Sequence, residues 1–130
     1  MTIPKEAQAR EDMTLRELCQ ALDISRRTVQ GYEAQGLVSA SKKTNMGYLI
    51  YDSDAQQRVR RIRQYQRYGF KIKEIAILLD ASEKMLKSKL EKRLINLRKE
   101  NCQLQQTIAE LEAELISLRQ KKRRKNNGID

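Results

Sequence analysis

The side chains best suited to specific recognition fall within five residues of one another: Arg26, Arg27 and Gln30. A guanidinium can donate two parallel hydrogen bonds to a guanine edge, and a carboxamide can pair with an adenine edge in the same way. A second group follows in the polar stretch Ser41-Lys42-Lys43-Thr44-Asn45-Met46-Gly47, where Lys42 and Lys43 suit phosphate contacts that add affinity but little sequence information. Tyr48 follows at once, with a hydroxyl able to donate to a phosphate. Arg58, Arg60, Arg61, Arg63 and Arg67 crowd the next stretch, which has no acid from Ala55 to Lys73, so some of them, Arg58 first, are expected to flank a polyanion. Catalytic chemistry has little to work with. The chain has no His, no nucleotide-binding loop, and two cysteines, Cys19 and Cys102, lying 83 positions apart without a C-x-x-C pair. No metal or other cofactor is expected, and an enzyme is not.

The composition agrees with a polyanionic partner. The 130 residues carry 27 Lys plus Arg against 17 Asp plus Glu, a net charge of +10 with a sequence pI near 9.8. Double-stranded DNA is the first candidate for such a basic excess. No apolar run approaches the roughly 20 residues needed to span a membrane, and the N-terminus has no signal-peptide pattern. The expected location is the cytoplasm, associated with the nucleoid.

The elements that must position these residues can be read from local signals. Residues 1–12 are polar, lack periodicity and are expected to form a flexible arm, with a DNA-binding domain over 13–80. Thr14-Leu15-Arg16-Glu17 is a capping box, in which the Thr hydroxyl and the Glu carboxylate each satisfy a backbone amide of the other. Leu15, Leu18, Cys19 and Leu22 then repeat at helical spacing. After the short turn Asp23-Ile24, Ser25 is a good N-cap for a second helix through Ala34, in which Val29 is expected in the core. Gly36 closes that helix. Two helices joined by about three residues have the size of a helix-turn-helix. The runs Leu37–Ala40 and Tyr48–Tyr51 are strand-like, so a two-strand hairpin, or wing, is expected around residues 41–47. Asp52-Ser53-Asp54 caps a third helix to about Tyr68, a short fourth contains Ile72, Ile75, Ala76 and Leu79, and Ser82 can cap a fifth.

The fifth helix carries a heptad. Leu90, Leu94, Leu97, Asn101, Leu104, Ile108, Leu111, Leu115 and Leu118 alternate steps of four and three. Leu94, Asn101, Ile108 and Leu115 fall at a, and Leu90, Leu97, Leu104, Leu111 and Leu118 at d. A helix over 82–120 would be roughly 58 Å long, too long to pack wholly on a domain of this size. The stripe therefore predicts a dimerisation coiled coil. The run Lys121-Lys122-Arg123-Arg124-Lys125 begins an expected basic, disordered tail over 121–130. The fold class is mostly α: a winged helix-turn-helix, two short helices and a long C-terminal coiled-coil helix.

Ile24-Ser25-Arg26-Arg27-Thr28-Val29-Gln30-Gly31-Tyr32-Glu33, followed by Gly36-Leu37-Val38, Gly47-Tyr48-x-x-Tyr51, Asp54 and Gly69-Phe70, resembles the MerR family of bacterial transcription regulators over about residues 14–120. The resemblance implies that Ser25, Arg27, Thr28 and Tyr32 lie at recognition-helix positions facing DNA, and that Lys42, Lys43 and Tyr48 lie on a wing gripping the phosphate backbone. It also implies an antiparallel coiled coil and RNA polymerase as a further partner at the promoter. The sequence departs from the family pattern at several positions. Gln30 stands at a usual Arg, Gly31 at a usual aromatic, Leu49 at the Arg of Gly-Tyr-Arg, Asp23 at a common turn Gly, and Lys71 at a usual Ser or Thr cap. The cysteine positions of metal-sensing relatives have no counterpart here, and only 121–130 follow the heptad, so no effector domain is visible.

Taken together, the sequence predicts a sequence-specific transcription regulator that binds an inverted-repeat promoter site as a homodimer. An architectural DNA-binding protein, for chromosome organisation or recombination, fits the same residues. The orientation of the coiled coil is set by competing cues. A Leu-rich d register with one Asn at a resembles a parallel zipper. The g–g pairing of Arg93 with Glu114 and the apolar b positions Ile95, Cys102, Ala109 and Ile116 favour an antiparallel pair.

Overall fold

The computed structural model describes residues 11–127. The expected arm therefore lies, through residue 10, outside the described residues, as do the last three positions of the expected tail. The chain divides into two compact units, with the boundary between Ser82 and Glu83.

The first unit is built of β1 (Met13–Thr14), α1 (Leu15–Leu22), α2 (Arg26–Ala34), β2 (Lys42–Lys43), β3 (Leu49–Tyr51), α3 (Ser53–Arg67) and α4 (Ile72–Leu79). The start signals act as the side-chain chemistry requires. Glu17 N donates to Thr14 Oγ1 at 3.2 Å, and Thr14 N donates to Glu17 Oε1 at 3.0 Å. The Thr14 amide, with help from its hydroxyl, holds the Glu17 carboxyl below its usual range. Ser25 Oγ accepts from Thr28 N at 3.1 Å to open α2. Asp52 Oδ1 accepts from Ala55 N at 2.9 Å to open α3, and that bond lowers the Asp52 carboxyl in turn. Gly36, at φ 75°, ends α2: Leu37 N reaches back to Tyr32 O at 2.9 Å, a left-handed closure that a Cβ would strain. Asp23 adopts the same left-handed region, at φ 54° and ψ 54°, where the sequence departs from a turn Gly.

The sheet corrects two expectations. It has three strands, in the order β1-β3-β2, not two, because Met13–Thr14 pairs antiparallel with β3 (Met13 with Tyr51, Thr14 with Ile50). The hairpin is also shifted along the chain. Leu37–Ala40 is not a strand: Leu37 and Val38 are consecutive yet both buried, closing the end of α2 instead of alternating across a pleat. The ladder begins with Ser41 N donating to Ile50 O at 2.8 Å and continues through Lys42 and Lys43, which were expected in the turn. The turn itself is the four residues Thr44–Gly47, closed by Gly47 N on Thr44 O and Thr44 N on Tyr48 O, both at 2.9 Å.

Helix α3 supplies the centre of the core. Val59 and Ile62 are fully buried along one side, with Tyr65 one turn further on, against Leu18, Val29, Leu37, Tyr51, Ile75 and Leu78 from the other elements. Each such aliphatic side chain contributes about 1.5–3 kcal/mol on burial. Gln56 lies within this apolar set, and its Nε2 donates to Glu11 O and Tyr51 O, both at 2.9 Å. Glu11 and Asp12, expected in the arm, are therefore fastened: Glu11 by Gln56, and Asp12 by an ion pair to Lys42 at 2.8 Å.

The second unit is a single helix, α5 (Glu83–Asn127), 45 residues or about 68 Å long. It corrects the expected tail, since the helix continues through Lys121–Lys125 to Asn127. The cations of its last turn lie at the negative end of the helix dipole, which favours them there. The heptad leucines from Leu94 onward stand exposed along it, Leu104 at 60% and Leu111 at 57%, while Leu90 is half-buried.

Gln56→Met keeps the volume but leaves the carbonyls of Glu11 and Tyr51 without that donor. It is expected to lower the stability of the folded chain by about 1–3 kcal/mol, read as the shift in a urea or thermal unfolding midpoint. A midpoint equal to wild type would mean that water replaces the carboxamide.

Candidate nucleic-acid interface

The Ser25 cap sets where α2 begins, and therefore which side chains occupy its first turns. Ser25, Arg26, Arg27 and Gln30 are exposed; Thr28 is half-buried and Val29 fully buried. Arg26 and Gln30 are one turn apart and share a face, as do Arg27 and Gln30. Ser25 and Thr28 spend their hydroxyls on each other, at 2.8 Å.

The wing stands beside this face. Arg26 lines one cleft together with Thr14, Leu15 and Arg16 from the start of α1, and Gly47, Tyr48 and Leu49 from the wing. The structure thus brings Arg26 and Tyr48 together, and adds Arg16, which the sequence reading missed. Arg16 sits two residues after the Thr14 cap, exposed in the first turn of α1, and only the folded wing brings it beside Arg26. In a helix-turn-helix, the first helix crosses the nucleic-acid backbone. Tyr48 is 59% exposed and Met46, in the turn, is 81% exposed.

The two wing lysines differ. Lys42 is paired with Asp12, whose carboxylate holds the ammonium above its usual range. Among the described residues no acid pairs with Lys43, whose stem passes near Gly47. A free ammonium on an exposed strand edge suits a phosphate oxygen.

Of the expected site residues, Tyr32 is turned inward and Arg58, half-buried, is engaged by the fold. Tyr32 is 4% exposed, and its hydroxyl donates to Gln66 Oε1 at 2.6 Å; burial pushes the phenol up. It joins α2 to α3 and is core, not surface. Arg58 is also spent on the fold. Its Nε donates to the carbonyl of Leu37 and its Nη1 lies 3.2 Å from Asp80 Oδ1. The same holds along α3: Arg63 Nη1 donates to the carbonyls of Leu22 and Asp23 at the end of α1, and Arg61 lies over the ring of Tyr65 at 5.7 Å. A run without acids looked like a free cationic surface, but backbone carbonyls and an aromatic face take three of its five guanidinium groups, those of Arg58, Arg61 and Arg63.

The match to known proteins follows the same residues. The model of the MerR HTH family of regulatory proteins matches residues 13–82, from the first strand to the end of the first unit. The chain belongs to the MerR family. Nodulation protein NolA of Bradyrhizobium elkanii is 34% identical over 70 residues, which are 54% of this chain and 32% of NolA, so the chain spans about a third of that relative. The N-terminal part of MtaN, the Bacillus subtilis multidrug transporter activator, superposes with a TM-score of 0.70 at 23% identity, over 79% of this chain and 97% of that one. HiNmlR, a MerR-family regulator lacking the sensor domain and solved bound to promoter DNA, gives 0.63 at 18% identity, over 90% and 95%. This MerR-family chain has the winged helix-turn-helix fold that these structures share. Among the described residues no helix is long and apolar enough to cross a membrane, and no group of three acidic or thiol side chains is placed to hold a metal ion.

Arg58→Ala is expected to destabilise the first unit by about 1–3 kcal/mol, through the lost bond to the Leu37 carbonyl, while the folded protein binds DNA with an unchanged salt dependence. Thermal melts and a salt titration of DNA binding check this. A salt slope reduced by one with an unchanged melt would make Arg58 a phosphate contact.

Proposed function

We propose that the chain acts as a homodimer on an inverted-repeat promoter site, each winged unit reading one half-site and RNA polymerase engaging the same promoter. The observation that carries the reading is the Ser25-capped start of α2, where Arg26, Arg27 and Gln30 are exposed on a helix flanked by Lys43 and Tyr48. In this reading Arg27 and Gln30 touch base edges, with Arg26 and Arg16 towards the backbone. Lys43, Lys42 and Tyr48 hold phosphates, while Ser25 and Thr28 order the helix start. The fold shared with HiNmlR, whose structure holds promoter DNA, supports the placement of a duplex against this face. Binding, not catalysis, is the activity, and the nucleoid is where it takes place.

Dimerisation is assigned to α5. Its Leu90, Leu94, Leu97, Asn101, Leu104, Ile108, Leu111, Leu115 and Leu118 form one seam, and an apolar stripe of this length in water needs a partner. The proposed orientation is antiparallel and centred between Asn101 and Leu104, which sets Arg93 against Glu114 across both flanks. Exposed pairs of this kind contribute only about 0–1 kcal/mol each. The b-position stripe of Ile95 and Ile116, each about half exposed, adds the stronger argument. It lies outside the seam and needs a covering surface of its own, which a plain parallel zipper does not provide.

Arg27→Ala is expected to cost about 1–3 kcal/mol of specific binding and to relax base preference at one position. Lys43→Ala should weaken all DNA alike and reduce the salt slope by about one. Operator and random duplexes titrated at several salt concentrations separate the two, and wild-type binding by both variants would sink the assignment. The orientation is tested with Cys19 and Cys102 replaced by Ala. Leu94→Cys protein mixed with Leu111→Cys protein should then crosslink well, and Leu94→Cys alone poorly, since two such sites would lie about 26 Å apart. Efficient self-crosslinking of Leu94→Cys would mean a parallel pair.

A further inference from the structure

The apolar seam of α5 ends at Leu90 on one side and Leu118 on the other, yet the helix itself runs from Glu83 to Asn127. Carrying the heptad outward puts Lys87 at a and Glu83 at d before the seam, and Lys122 at a after it. Both extensions are helical and their seam positions are charged. The run from Lys121 to Lys125 also stacks like charges at three- and four-residue spacing, which opposes helix formation. The helix dipole offsets part of that repulsion.

In the antiparallel pair proposed above, Asn101 faces the partner's Leu104. Stepping outward, Leu94 faces the partner's Leu111, and Leu90 the partner's Leu115. The next layer sets Lys87 against the partner's Leu118, where the lysine stem can lie over the leucine with its ammonium in water. The layer after that sets Lys122 against the partner's Glu83. At the same end Lys84 approaches the partner's Arg119 through e positions, so Glu83 is the acid that answers a strongly basic end.

We infer that the basic extension of α5 is a clasp for a second copy of this chain, in which Lys122 of each protomer pairs with the partner's Glu83 and closes both ends of the coiled coil. The inference rests on the antiparallel homodimer. In a parallel pair, positions 83 and 122 lie about 58 Å apart and cannot meet. A nucleic acid would also attract the basic run, but it would not require Lys122 and Glu83 to share one layer of the seam.

The test uses the full chain with Glu83→Lys in one preparation and Lys122→Glu in another. Each homodimer then sets like charges together at both ends, and its Kd should rise about tenfold. Mixed, the two variants restore opposite charges at both ends. Native mass spectrometry should show heterodimers about tenfold above the statistical proportion, and the double variant Glu83→Lys with Lys122→Glu should regain the wild-type Kd. Circular dichroism checks that each variant keeps its helices. Should a charge reversal unfold the helix end, the milder pair Glu83→Ala and Lys122→Ala should raise the Kd by the same factor singly and together, because both remove one interaction. Statistical mixing with an intact crosslink between positions 94 and 111 overturns the clasp alone, whereas loss of that crosslink overturns the antiparallel reading beneath it. Weaker DNA binding by Lys122→Glu with an unchanged dimer Kd also overturns the clasp and makes the run a nucleic-acid contact.

Discussion

Helix α3 has to meet two demands at once: it buries Val59, Ile62 and Tyr65 at the centre of the first unit, and it carries five arginines within ten residues. The two are reconciled by directing guanidinium groups at the open ends of neighbouring elements. The last carbonyls of a helix have no partner within it. Arg63 supplies one for α1, and Arg58 supplies one just beyond α2. Gln66 receives the hydroxyl of Tyr32, and Gln56 bonds the backbone at Tyr51 and Glu11. The angle at which α2 leaves the core, and with it the exposure of Arg26, Arg27 and Gln30, therefore depends on α3, a helix some of whose arginines were expected to flank DNA.

The elements were legible where a single local mechanism decides them. The Thr14–Glu17 box, the Ser25 and Asp52 caps and the Gly36 stop are contacts between near neighbours, and residue type alone specifies them. The hairpin was misplaced because Leu37 and Val38 are both good strand formers and good core residues, and only tertiary packing distinguishes the two roles. The outward face of α2 was legible in the alternation of exposed Arg26 and Arg27 with buried Val29. Tyr32 and Arg58 were misread for a different reason. Their partners, Gln66 and the Leu37 carbonyl, are 34 and 21 positions away in sequence. Arg16 was missed because its place in the site comes from the wing folding back beside α1.

The second unit obeys a different rule. In α5 most of the apolar stripe is exposed, and an intrahelical pair such as Arg93 with Glu100, at 3.5 Å and part-exposed, is weak. In the proposed dimer a 45-residue helix of this kind draws its stability from association, so its folding and its oligomeric state form one equilibrium that varies with concentration. The first unit carries its own core. Dilution should therefore loosen the helix before it touches the winged fold.

The ion pair between Asp12 and Lys42 also gives the wing an ion-exchange character. A lysine that meets a phosphate ordinarily displaces a mobile cation condensed on the duplex, and the entropy of that release drives association. Lys42 already holds an anion from its own chain, 2.8 Å away. A phosphate that takes the ammonium sets the Asp12 carboxylate free beside a polyanion, where it gathers a cation from solution. One ion is released and another is bound, so this contact gives little entropic drive. In the proposed complex Lys42 orients the wing, and Lys43, which no acid pairs among the described residues, supplies the net pull.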